Sequence, residues 1–93
     1  MSILGGRRHT AGDTRRWVVR YGKWLDNTAT IMAAVVTSPS PTCTIGEVIV
    51  LGKDVVFFTV AGVTGENFNV TIQITDSLEN VKTDTIAFTV VPP

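Results

Sequence analysis

With 93 residues, 44% of them apolar, the chain can bury one thin core, since folding at this size hides roughly 60–65% of the surface of the extended chain. Its single cysteine, Cys43, excludes an intramolecular disulfide and a cysteine-cluster metal site, and no run of about 18 apolar residues is present to span a membrane. The formal charge of zero is segregated: residues 1–25 carry Arg7, Arg8, Arg15, Arg16, Arg20 and Lys23 against Asp13 alone, whereas residues 26–93 carry Lys53 and Lys82 against Asp26, Glu47, Asp54, Glu66, Asp76, Glu79 and Asp84. A basic segment joined to an acidic body predicts docking onto an acidic partner or onto a copy of the same chain.

Residues 1–12 hold Gly5, Gly6 and Gly12 and follow neither apolar period, so residues 1–13 are expected to form a flexible basic N-terminal arm ahead of one domain over 14–91. The arm lacks the apolar stretch of a secretory leader. Its Arg7-Arg8 pair, without interleaved aromatics, is too small a basic footprint for nucleic acid. Over residues 14–21, Trp17, Val19 and Tyr21 alternate with Arg16, Val18 and Arg20, which predicts a first strand whose aromatic side joins the core. Gly22, Asp26 and Asn27 are turn formers, and Trp24 and Leu25 between them are expected to plug one end of the fold.

A second strand is predicted over 28–37, where Ala29, Ile31, Ala33 and Val35 alternate with Thr30, Met32, Ala34 and Val36. Both sets are fairly apolar, which calls for two covered faces or an interface. Ser38-Pro39-Ser40-Pro41 cannot continue a ladder, because proline has no N–H to donate. Extended structure resumes over 42–51 with a bulge or kink at Gly46-Glu47, and Gly52-Lys53-Asp54 turns into a strand over 55–60. There Val56, Phe58 and Val60 alternate with Val55, Phe57 and Thr59, which places Phe57 on the outer face, where beside Val55 it would mark a contact patch.

The clearest pattern comes last. Phe68, Val70, Ile72 and Ile74 alternate with Asn69, Thr71, Gln73 and Thr75, and after Asp76-Ser77-Leu78-Glu79-Asn80 the alternation returns with Ile86, Phe88 and Val90. These runs predict a β-hairpin with one core face and one wet face. Six or seven short strands separated by turn signals, with no helical period, define an all-β antiparallel sandwich; a small closed barrel is the alternative.

Catalytic constellations are absent from the pattern. His9 is the only histidine and lies in the expected arm, no Ser or Cys has a base at readable spacing, and the carboxylates are scattered over turns. Asp54, Asp76, Glu79 and Asp84 lack the spacing of a calcium loop and read as solvated turn residues. Cys43 reads as a small core residue, and Trp24, Tyr21 and Phe57 are the aromatics from which a sugar platform could be built.

Gly62-Val63-Thr64-Gly65-Glu66-Asn67-Phe68-Asn69-Val70, with Ile74-Thr75-Asp76-Ser77 and Thr85-Ile86-Ala87-Phe88-Thr89-Val90, resembles the closing strands of bacterial and viral immunoglobulin-like domains. Such domains often place Tyr where this chain has Phe68, and the hydrogen bond of that tyrosine hydroxyl is lost here. Trp17-Val18-Val19-Arg20-Tyr21-Gly22-Lys23-Trp24-Leu25, followed by Asp26-Asn27-Thr28-Ala29-Thr30-Ile31, is similar to small tailed-phage virion proteins described as fiber-tail adaptor or tail-associated Ig-like proteins. Where that group often carries Gly-Arg before the last strand, this chain has Glu79-Asn80.

The resemblance implies an Ig-like sandwich acting as a non-enzymatic bacteriophage structural protein, an assembly or adaptor subunit linking tail, fiber or head–tail components. Partners are then other virion proteins (tail, fiber, portal or capsid), in a symmetric homo-oligomeric assembly within a virion made in the host cytoplasm. No cofactor, metal, nucleic acid, membrane or small-molecule substrate is expected. A capsid decoration protein and a carbohydrate- or cell-surface-binding module are the alternatives. The surface expected to meet a partner comprises Arg7, Arg8, Arg15, Arg16, Arg20, Trp24 and Phe57.

Overall fold

The computed structural model describes residues 2–25 and 28–93, with side chains from residue 5 onward; the turn expected at Asp26 and Asn27 and the place of Met1 lie outside the described residues. Among the described residues there are seven strands: β1 (Ser2–Thr10), β2 (Thr14–Arg20), β3 (Ile31–Thr37), β4 (Cys43–Leu51), β5 (Asp54–Ala61), β6 (Asn67–Asp76) and β7 (Val81–Val91). They form two packed sheets, ordered β1-β7-β6-β3 and β2-β5-β4. Lettered in chain order these are A-G-F-C and B-E-D, the connectivity of an immunoglobulin sandwich in which the first strand sits beside the last.

The first strand differs from the sequence expectation. Where a flexible arm is expected, Ser2–Thr10 is an edge strand of the four-stranded sheet, and it runs parallel to β7 with Arg7 opposite Phe88 and His9 opposite Val90. Its sequence hides this because an edge strand needs no apolar alternation, and because its inward anchor is a histidine. Gly5 and Gly6 lie at a register shift in that ladder.

The predicted hairpin forms the centre. Phe68 pairs with Phe88 and Val70 with Ile86 across β6 and β7, and Val70, Ile72, Ile74, Ile86, Phe88 and Val90 are all buried. Phe88 is the hub of the core: the Trp17 ring meets it edge-on at 5.1 Å, Phe57 edge-on at 6.5 Å, and Phe68 stacks on it at 5.8 Å. Phe68 thus contributes a ring face to this aromatic cluster.

Phe57 corrects the expectation for β5. It is 0% exposed, and Val55 and Thr59 point inward with it. Residues directly opposite in a ladder share a face, so the pairs Trp17–Phe57, Val19–Val55 and Arg15–Thr59 fix the phase of β5 from β2. Four consecutive apolar residues, Val55 to Phe58, fit either phase, and the hydroxyl of Thr59 is satisfied indoors by Trp17 and His9.

A bulge explains the doubly apolar β3. The register shifts between Ile31 and Ala33, so Ile31 faces the core, then Val36 does, while Met32 and Val35 stand 68% and 55% exposed. The bulge expected at Gly46-Glu47 is present as a shift between Ile45 and Val48.

Two carboxylates expected as solvated turn residues are interior. Asp76 closes the β6–β7 turn by accepting from the backbone N–H groups of Leu78 at 2.9 Å and Asn80 at 2.8 Å. Asp84 is fully buried on the inward face of β7 and pairs with Lys82 Nζ at 2.9 Å. The Ser-Pro-Ser-Pro stretch is likewise fastened: Ser40 Oγ accepts from the N–H of Cys43 at 2.9 Å, and Glu66 receives the hydroxyls of Ser40 and of Thr42, the latter at 2.7 Å.

Replacing Phe88 with Ala is expected to cost about 3–5 kcal/mol, measured by urea denaturation, because the ring touches three other aromatics. The Ser40 and Thr42 hydroxyls hold the Glu66 carboxyl below the usual carboxylate range. A folded value below the unfolded one gives stability that is present above the ordinary carboxylate range and lost as pH falls through the folded value. Glu66→Gln is therefore expected to lower stability at neutral pH and to flatten the acid limb of the stability–pH curve, with little change at pH 3, as followed by thermal melts from pH 3 to 8.

Candidate functional site

On one side of the sandwich β3 packs against β4, and on the other the edges of β1 and β2 stay apart. The gap is a groove of about 500 Å³ lined by Gly6, Arg7, Arg8, Arg15, Trp17 and Thr89, among others. A smaller hollow of about 220 Å³ shares Arg7 and Trp17 with it and adds Arg20 and Ile86. Four of the arginines singled out in the sequence are thus gathered along one open edge.

Strand alternation places them. Arg15 shares the inward side of β2 with Trp17, and at the open rim its guanidinium lies over the indole at 4.8 Å from the ring centre. Arg7 Nη1 donates to the Gly6 carbonyl at 2.8 Å. Among the described residues none of Arg7, Arg8, Arg15, Arg16 and Arg20 forms an ion pair, and the carboxylate nearest to them in the ladder is Asp54, opposite Arg20.

His9 holds β1 in position. The imidazole is 0% exposed and reaches from the four-stranded sheet to the three-stranded one. Its Nε2 donates to the Ala61 carbonyl at 2.5 Å, and Thr59 Oγ1 donates to its Nδ1 at 2.8 Å; Trp17 Nε1 in turn donates to Thr59 Oγ1 at 2.8 Å. In the tautomer with its proton on Nε2, each donor in this relay has one acceptor. Ala61 adopts a left-handed φ of 68° while bonded to Asp13 and His9, and Gly62 beside it has a φ of 101°. A Cβ at Gly62 would sit 3.4 Å from the imidazole Cδ2 and from Val90, at the tight end of ordinary contact, so glycine suits that position on both counts.

The remaining expected contact residues separate. Arg16 is exposed and does not line the groove, and Phe57 is core. Trp24 is 40% exposed with Lys82 Nζ at 5.8 Å from its ring. Tyr21 is buried, so Trp24, Tyr21 and Phe57 do not make a sugar platform. Burial, and secondly the charge of Asp84, push the Tyr21 hydroxyl above its usual range; neither that hydroxyl nor Asp84 Oδ2 has a hydrogen-bond partner among the described residues. Cys43 is buried, and burial together with the charge of Glu66 pushes its thiol up, away from the reactive thiolate. Trp17, expected in the core, also floors the groove; the signal was Arg15 two residues earlier on the same face.

Among the described residues no three His, Cys, Asp or Glu side chains are grouped to hold a metal, and no helix is long and apolar enough to cross a membrane. Fold and site together define a β-sandwich structural module, with its charged groups displayed along an edge. The chain belongs to the podophage GP4 fiber-tail adaptor protein gp77 family, whose model matches residues 9–89. No curated protein matches the chain. Membership gives it a structural adaptor role in a phage tail and makes it a virion component that binds other virion proteins. The matched stretch runs from the His9 anchor to Thr89 and includes Arg15, Arg16 and Arg20.

His9→Ala leaves Thr59 Oγ1 and the Ala61 carbonyl without their partner, and is expected to cost about 1–3 kcal/mol. Amide hydrogen exchange should locate the loss: β1 amides gain exchange first, while β6 and β7 stay protected. Uniform loss of protection would mean that His9 supports the whole core and not β1 in particular.

Proposed function

We propose that the chain joins a tail component to a fiber component through two opposite edges of its four-stranded sheet. The observation that carries this reading is the set of unpaired arginines along the open β1–β2 side, in a member of a fiber-tail adaptor family. An adaptor needs two surfaces that do not compete. In the order β1-β7-β6-β3 the basic edge lies at one end and β3, with exposed Met32 and Val35, at the other. Arg7, Arg8, Arg15 and Arg20 belong to the first surface; Arg16 and Trp24 are peripheral to it.

The partner of the basic edge is a different, acidic virion protein in preference to a second copy. Asp76 and Asp84 are buried and Glu66 is hydrogen-bonded to Ser40 and Thr42 of the β3–β4 loop, so the acidic surface that the composition promised to a second copy is depleted. Copies of the chain are arranged by the symmetry of the tail, each contact weak and the sum firm through multivalency. Residues 14–91 are the docking body, and β1 is the part of the first thirteen residues that completes its basic edge.

The test is paired. Arg7→Glu with Arg15→Glu is expected to release one virion partner in co-purification from assembled tails, and Met32→Asp with Val35→Asp to release the other. Retention of both partners by both variants, with the fold intact by circular dichroism, would end the two-edge reading.

A further inference from the structure

Resting on the docking role just proposed, we infer that the groove between β1 and β2 takes an extended acidic segment of a partner protein, added as a strand along the open edge of β1 with its inward carboxylates on Arg7 and Arg15 and with Arg8 and Arg20 at the rims. Three observations converge. β1 and β2 are both outermost strands, each hydrogen-bonded on one side only, so the groove runs between two rows of backbone groups that no strand of this chain occupies. Its lining supplies guanidinium groups that form no ion pair among the described residues, the donors that fit a carboxylate in bidentate fashion. Finally, β1 is fixed from behind by the buried His9, so the edge is preformed and an incoming strand need not order it.

Simple edge protection accounts for less. Charged side chains on an edge strand discourage unwanted pairing, but that role needs neither a cavity of about 500 Å³ nor a guanidinium fixed 4.8 Å above an indole. Arg15 held in this way keeps its outer N–H groups turned to whatever enters, at a reduced entropic cost. Nucleic acid fits the groove poorly. One face of the Trp17 ring carries Arg15 and its surroundings include Phe88, which leaves no stacking platform for a base. A peptide uses what the groove offers: charge at alternate positions and backbone pairing between them.

The probe is a fluorescein-labelled octapeptide alternating Glu and Thr, titrated into the full chain by anisotropy at low and physiological salt. Its controls are the Lys-for-Glu peptide, the Glu peptide with alternate backbone amides N-methylated, and a single-stranded oligonucleotide of the same charge. Binding of the Glu peptide is expected to weaken at least tenfold with N-methylation, and at least tenfold in the Arg7→Gln, Arg15→Gln variant. It should change less than twofold in Arg16→Gln, which removes a charge outside the groove. On the unaltered chain, amide NMR shifts should cluster in β1 and β2, and this measurement decides the matter even where a variant fails to fold. Equal binding of the N-methylated peptide, shifts confined to other strands, or preference for the oligonucleotide overturns the inference. If the peptide does not bind while the Arg→Glu variant still loses its virion partner, strand addition falls and the docking role stands; if both fail, both fall.

Discussion

The relay from Trp17 through Thr59 to His9 and on to the Ala61 carbonyl is the interaction on which the functional edge depends. It joins two strands of the three-stranded sheet, β2 and β5, to β1 at the edge of the other sheet, and its central bond between Thr59 and His9 is buried. Buried polar groups are costly unless every one is satisfied, and here each donor meets one acceptor, so the network resists any arrangement but the one observed. Without it β1 would keep only its single ladder to β7. With it, a glycine- and arginine-rich segment that has almost no apolar side chains to bury from residue 5 onward becomes a fixed wall of the groove.

Around this link the core and the edge divide their duties. Phe88 gathers Trp17, Phe57 and Phe68 and makes the two sheets one body. Trp17 belongs to both systems: its ring edge packs on Phe88, its N–H enters the relay, and its rim-facing side carries Arg15. One side chain thereby couples hydrophobic packing, hydrogen bonding and charge placement. The bulge in β3 divides its apolar residues between the core and the opposite edge, so both ends of the four-stranded sheet acquire a distinct chemistry from the same fold.

Most of the sandwich was legible because its strands alternate. The run from Phe68 to Thr75 and the set Ile86, Phe88 and Val90 named their buried faces correctly, and the bulge at Gly46-Glu47 was signalled by composition. What escaped had a common cause, a polar residue satisfied where no one-dimensional pattern can see its partner. Thr59 lies inside on β5 with Phe57, His9 concealed β1, and Asp84 passed for a turn residue though it faces the core beside Lys82. The arginines of the groove were visible as charge, yet their assembly was not, since Arg7 and Arg15 meet across two sheets and only the parallel pairing of β1 with β7 brings them together.

The strand order of the larger sheet has a mechanical meaning. Between β1 and β3 lie three interstrand gaps, a separation of about 14 Å set by backbone hydrogen bonding. Two proteins held at those edges would be kept at a spacing that side-chain substitution could scarcely alter. A pull between them would run across the strands, so the whole length of each ladder would share the load, and the β1–β7 ladder would carry it with the His9 link as its reinforcement against peeling.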